Sequence, residues 1–415
     1  MRRDALNDAS ATAGVVRDLW GAPARNATPA HPAPLGRNIT WMFEAGLPDP
    51  DTFPVDDLIR ITADVLRRDA AGALGYGSAF DAEIQAGFVG LRDLLAARGS
   101  RIDGRDVSRH NVMLTSGAAQ GLMLLLEAFV DPGDVVAVEA PTWNAMLAAL
   151  ARRGASVVAL PLDDDGIDVD AFEAVLDTTE REGRRLKLLY TIATFNTPTG
   201  VCLSTERRRR IVELARRHGF VVIEDNVYAE LRYDGAPLPS LFSLDDSDVV
   251  VKVDSFSKIV APGLRVGWIT ASRDVIATLA GVRGDLGVSQ LTARVLAQYL
   301  DQGLLEPHIA DVVARYRAKR DAAESALRRH CGDLVRWRTP EGGFFLWVEL
   351  DDTVDPAGVM RRALERGVSC RAGERFFGDG DRGRNWFRLA FPSVPIEMID
   401  AGIAVVGDAI RASRR

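Results

Sequence analysis

Residues 249–258 read VVVKVDSFSK. The run 249–254 is β-branched and almost wholly apolar, the composition of a strand buried on both faces. It ends in a Ser-rich turn that carries Lys258. Runs of the same kind recur at 112–115 (VMLT), 135–140 (VVAVEA), 156–162 (SVVALPL), 186–192 (LKLLYTI), 221–226 (VVIEDN) and 266–271 (VGWITA). Helix-period stretches occupy 55–69, 117–130, 143–153 and 204–218. Apolar strands alternating with helices predict an α/β fold, a mostly parallel sheet sandwiched by helices.

The character changes after residue 290. An Arg- and Ala-rich helical stretch spans 290–330, then GGFFLWVEL (342–350), a helix over 356–366, FRLAF (387–391) and a last helix over 395–412. These predict a smaller α+β domain. The chain of 415 residues is long enough for two or three domains. We expect a segment and arm over 1–54, a large α/β domain over 55–290 and a small domain over 291–415, which the arm joins. The arm stretch EAGLPDPDTFP (44–54) holds three Pro and one Gly, too many for a regular element of any length.

Composition narrows the chemistry. A net charge of -7 gives no reason to expect nucleic acid or an anionic membrane as partner. Three scattered cysteines and five histidines offer little for disulfides or a metal site, so no metal is expected. The start MRR is followed by no apolar core of a leader, and no run approaches the ~20 apolar residues of a membrane span, so a cytoplasmic home is expected. Nearly all basic residues are Arg. Only Lys187, Lys252, Lys258 and Lys319 are lysines, and only a lysine readily gives up its proton to act as a nucleophile.

Ligands of an open α/β sheet sit beyond the carboxyl ends of its strands. Four features stand there. Ser116, Gly117, Ala118 and Ala119 follow VMLT and open a helix, where free N–H groups suit a phosphate; an ordinary small-residue turn reads the same way. Asp225 ends VVIED, and a buried acid needs a cation such as a protonated pyridine nitrogen; a helix N-cap is the plainer alternative. Lys258 follows Ser255 and Ser257 and precedes Arg265 by seven residues, so a phosphate is within reach of all three; a solvated loop lysine is the alternative. Arg388 lies inside the apolar FRLAF and needs an anion, either a substrate carboxylate or a structural acid.

In this order the features resemble the class I/II aminotransferases of the fold-type I pyridoxal 5'-phosphate (PLP) enzymes, closest to the 2-aminoadipate and kynurenine aminotransferase subgroup. The resemblance spans about residues 39–412 and includes AGLPDPDTFP (45–54), EGGFFLW (341–347) and AGERFF (372–377). It implies a Schiff base between Lys258 and PLP, with Asp225 on the pyridine nitrogen and Tyr228 on the phenolic oxygen. It implies Trp143 stacked on the ring, Ser116, Gly117, Ala118, Ala119, Ser255, Ser257 and Arg265 around the phosphate, and Arg388 on the substrate carboxylate. Arg265 is expected to help depress the Lys258 pKa. Gly46 would lie in an arm over the substrate. Tyr76 would reach the phosphate of a second subunit, which implies a homodimer with shared sites. The implied reaction moves an amino group from an L-amino acid to a 2-oxo acid, 2-oxoglutarate by analogy.

Two departures stand out. The family's FQNPTG is Phe195-Asn196-Thr197-Pro198-Thr199-Gly200 here, so Thr197 takes the place of the Asn that reaches the phenolic oxygen. Either Thr197 makes that contact or Asn196 moves in toward the ligands. The segment GSAFDAEIQA (77–86) is longer than the subgroup's, and Asp81 and Glu83 suit a basic substrate or, more plainly, a solvated loop. Both motivate an alternative: the same fold and cofactor with decarboxylase, eliminase, cyclase or oxidase chemistry. A third reading, the sensing module of a PLP-binding transcription regulator, lacks room for a winged helix in the residues before the arm.

Overall fold

The computed structural model describes residues 21–26, 38–76, 85–378 and 382–415. Among these described residues fourteen strands follow in chain order: β1 (Trp41–Met42), β2 (Val112–Thr115), β3 (Val135–Ala140), β4 (Ser156–Asp163), β5 (Gly166–Ile167), β6 (Leu186–Thr191), β7 (Val221–Asp225), β8 (Val250–Ser255), β9 (Gly267–Thr270), β10 (Val335–Trp337), β11 (Phe345–Leu350), β12 (Val368–Ser369), β13 (Arg371–Ala372) and β14 (Trp386–Ala390).

The main sheet has eight strands in the order β2-β9-β8-β7-β6-β3-β4-β5. Its centre, β8-β7-β6-β3-β4, is parallel throughout. Every residue of β3, β8 and β9 is buried, which requires cover on both faces and explains their unbroken apolar runs. The sheet is mostly parallel, as expected, and mixed at its margins. β9 runs antiparallel to both β8 and β2, and β5 folds back antiparallel on β4. A continuous apolar run reads alike in either direction, so strand direction was not legible.

Flanking helices start and stop where side chains dictate. The helix Thr205–His218 begins at Ser204, whose hydroxyl accepts from the Arg207 N–H, and ends at Gly219 in the left-handed region. The helical stretch over 290–330 is two helices, Gln290–Asp301 and Leu305–Cys331. Gly303, at φ +71°, makes the break with a backbone that other residues rarely adopt. The second helix packs along the last one, Ile396–Arg411.

A four-stranded antiparallel sheet, β10-β11-β14-β13, forms the smaller unit, and β1 of the arm pairs parallel with β12 beside it. Among the described residues no helix is long and apolar enough to cross a membrane, and no cluster of His, Cys, Asp or Glu suits a metal. Most of the segment 77–86, with Asp81 and Glu83, lies outside the described residues.

Candidate active site

The strands β2, β3, β6, β7 and β8 point the same way and end on one edge of the main sheet. Beyond that edge lies a cavity of about 450 Å³, within the usual size of a small-molecule site. Its walls include Gly46, Ala118, Ala119, Trp143, Thr197, Asp225, Tyr228, Ser255, Ser257, Lys258, Arg265 and Arg388. Stretches far apart in sequence therefore meet in one space.

Lys258 donates to the Gly46 carbonyl at 2.7 Å and lies 5.8 Å and 5.5 Å from the ring centres of Tyr228 and Phe344. Its amine is pulled down to about 8, first by burial, then by the Arg388 charge, with Arg265 a smaller contributor and Asp225 opposing. A lysine poised there supplies neutral amine near physiological pH. Amine labelling of the cofactor-free protein is expected to rise with pH at Lys258 with a midpoint near 8. Arg388→Gln is expected to raise that midpoint more than Arg265→Gln does. A wild-type midpoint near 10.5, the unperturbed value, contradicts the geometry.

Asp225 is the last residue of β7 and caps no helix. Tyr190, on the neighbouring β6, donates to its Oδ2 at 2.7 Å. Its Oδ1 is buried without a hydrogen-bond partner. Burial raises the Asp225 carboxyl to about 6 against the pull of the Tyr190 hydroxyl, the Val227 N–H and the Lys258 charge. A buried acid at a cavity wall, with one oxygen that lacks a full hydrogen-bond partner, suits a donor or a cation as ligand. The Thr197 hydroxyl is likewise buried, beside the Tyr228 hydroxyl. Tyr228 is pushed up to about 12 by burial, with the Arg388 charge and the Thr197 hydroxyl opposing.

At another wall the helix Ala118–Phe129 opens with no side-chain cap. Gly117 before it has φ +81°, and a Cβ there would lie 2.6 Å from the Arg265 guanidinium. Arg265 donates to the Ser116 carbonyl at 3.0 Å. Ser257 N–H donates to Ser255 Oγ at 3.0 Å, and the two hydroxyls are 2.8 Å apart. Bare helix N–H groups, two hydroxyls and a guanidinium form a cradle for a phosphate dianion. The unpartnered Asp225 oxygen, the poised amine and this cradle together fit PLP.

Arg388 lies between Phe345 and Phe376, 4.2 Å and 4.9 Å from their centres. It donates to the Glu44 carbonyl at 2.6 Å, while its Nε is buried without a partner. No carboxylate among the described residues pairs with it, so its fork remains available to an anion.

Other expected residues stand apart from the cavity. Asn196, expected at the substrate, is turned away: its amide donates to Glu139 at 2.7 Å and its Oδ1 accepts the Thr199 hydroxyl at 2.9 Å. Thr197, the other candidate to replace the family Asn, lines the cavity. Ser116 and Gly117 shape the rim through backbone rather than side chains. Tyr76 is 74% exposed and does not line this chain's cavity. Sequence reasoning missed Tyr190, Glu139 and Arg371. Glu139 accepts from Thr191, Ile192 and Asn196, and burial raises it to about 7.

With this geometry in hand, comparison with known proteins is specific. The family Aminotransferase class I and II matches residues 84–406. An aromatic-amino-acid aminotransferase of Thermococcus litoralis is 39% identical over 368 residues, 88% of this chain and 87% of that one. The solved kynurenine aminotransferase of Pyrococcus horikoshii superposes with TM-score 0.88 at 33% identity, covering 97% of this chain and 99% of its own. An α-aminoadipate aminotransferase of Thermus thermophilus, solved with N-(5'-phosphopyridoxyl)-L-leucine, gives 0.85 at 31% identity over 95% and 98%.

Proposed function

The chain belongs to the class I and II aminotransferases, a PLP-dependent transferase whose chemistry is amino-group transfer, and from that premise we propose that its cavity holds PLP through Lys258 and Asp225. The observation that carries this reading is the bare Oδ1 of Asp225 in the same cavity as the depressed amine of Lys258. When bound, the cofactor supplies an aldehyde for the amino group and a ring that spreads the charge left at the substrate Cα.

The chain's residues do the rest. Asp225 keeps a proton on the ring nitrogen, and Tyr190 holds its other oxygen still. Ser255, Ser257, Arg265 and the N–H groups after Gly117 hold the phosphate. Trp143 offers an aromatic face to the ring. Tyr228 and Thr197 serve the phenolic oxygen, Thr197 standing where the family has Asn. Arg388 fixes the substrate α-carboxylate, so that its Cα faces Lys258. Lys258 Nζ, available as a neutral amine, would take the proton from the substrate Cα and hold it for return. The arm around Gly46 covers the cavity and excludes water; a Cβ at Gly46 would lie 2.8 Å from the Phe345 ring.

The amino acceptor we propose is 2-oxoglutarate, and the donor an aromatic or dicarboxylic L-amino acid, after the relatives' names. A homodimer with shared sites is part of the proposal. Ala119 and Arg265, at the phosphate end, are exposed in the single chain, and the exposed apolar Leu74, Tyr76 and Leu286 suit a partner's surface.

Adding an L-amino acid to the holoenzyme without a 2-oxo acid tests the reading. Stoichiometric conversion to the pyridoxamine form, with one equivalent of 2-oxo acid, is expected. Release of ammonia, carbon dioxide or peroxide instead would favour the lytic or oxidative alternative that Thr197 suggests.

A further inference from the structure

Arg371 and Arg388 are direct cross-strand partners in the antiparallel pair β13–β14, and both line the cavity. Directly opposite residues share a face, with Cβ atoms about 5 Å apart. Two like charges so placed repel unless anions stand between or beside them. One anion is already there. Glu44, on the arm, pairs with Arg371 at 3.1 Å through Oε1, and its backbone carbonyl takes the Arg388 Nη2. Neither member of the ion pair is buried: the Arg371 side chain is 26% exposed and that of Glu44 41%.

From this arrangement we propose that Arg371 reads the distal carboxylate of a dicarboxylic substrate, with Glu44 as the anion that carboxylate displaces. The inference rests on the assignment of Arg388 to the α-carboxylate. Two guanidiniums and one Glu44 carboxylate leave one positive charge uncompensated. A substrate with a neutral side chain supplies one carboxylate, to Arg388, and the Arg371–Glu44 pair stays closed. A dicarboxylate supplies two, and its second competes with Glu44 for the Arg371 fork. Glu44 is exposed enough to turn into water when displaced, so no charge is stranded in a dry site. Arg371 offers the planar fork that suits a carboxylate, and its cross-strand position puts it beside Arg388 in the same cavity. The same cavity then admits a dicarboxylic partner in one half of the reaction and a neutral one in the other.

The test uses the holoenzyme with Arg371→Met, Arg371→Lys and Glu44→Gln. The ratio of kcat/KM for L-glutamate to that for L-phenylalanine is measured, as are the dissociation constants of glutarate and pentanoate. Arg371→Met is expected to lower the kinetic ratio about 30-fold, chiefly through KM for glutamate, and to erase the preference for glutarate over pentanoate. Arg371→Lys is expected to restore part of each. Glu44→Gln is expected to raise both preferences several-fold, and it carries the test alone if Arg371→Met does not fold. Equal losses for both substrates in Arg371→Met, or no gain in Glu44→Gln, overturn the proposal while transfer with phenylalanine still upholds the aminotransferase site. Loss of transfer with every amino acid in the wild type would instead remove the assignment on which the proposal rests.

Discussion

Lys258→Ala is expected to lower amino-group transfer by at least about 10⁴-fold, the upper range for a positioned acid–base group. Two roles are lost at once. The amine that holds the cofactor disappears, and so does the base above the substrate Cα. No other lysine substitutes: Lys252 is paired with Asp103, and Lys319 with Asp49 at 2.6 Å. Lys187 stands on the surface beside Asp134. Lys258→Arg retains charge but cannot give up its proton, so it is expected to be equally inactive. Turnover by either variant within tenfold of wild type contradicts the role given to Lys258.

The second large effect concerns Asp225. Asp225→Asn is expected to lower kcat/KM by about 10²–10³, the cost of removing one preorganised charge from a buried site. The same change is expected to stabilise the cofactor-free protein. In the folded state the Asp225 carboxyl is raised from 3.8 to about 6. Its contribution to stability is therefore present below the unfolded value and lost as pH rises through about 6. Above that pH the wild type buries an ion that the Asn variant does not. Asn also keeps an oxygen to accept from Tyr190. Thermal midpoints of the two cofactor-free proteins are expected to agree near pH 4 and to separate in favour of Asn by pH 7.5. Glu139 and Asp254, each raised to about 7, titrate in both proteins; the Asp225 charge adds to the rise at Glu139, so the difference between the curves reads Asp225 together with that coupling. A wild type that is the more stable at pH 7.5 contradicts the buried, unpartnered oxygen.

Function and stability oppose each other at this position, as the sequence already suggested. Asp225 stood out because it ends an apolar run where a charge costs energy without a partner, and Lys258 because it is one of four lysines and follows such a run beside Ser255, Ser257 and Arg265. Arg388 stood out on the same argument, from inside FRLAF. The strands were legible because burial on both faces forces β-branched composition, and β2 and β3 lie at the residues their composition marks. Tyr190 was not legible. In LKLLYT it reads as one more core aromatic, and only the β6–β7 pairing brings its hydroxyl to Asp225. Glu139 carried a usable signal, an acid within VVAVEA like the Arg within FRLAF. Asn196 was misjudged because adjacency to Thr197 does not tell which side chain faces the ligands. Arg371 lies in a half-buried two-residue strand whose register with β14 is a tertiary fact.

The central claim is a covalent bond between PLP and the amine of residue 258. Reducing the PLP-loaded protein with borohydride, digesting it and locating the pyridoxyl group by mass spectrometry tests it directly. The account predicts one pyridoxyl group per chain, on the peptide containing Ser257 and Lys258. An unmodified Lys258, with label elsewhere or nowhere, contradicts it.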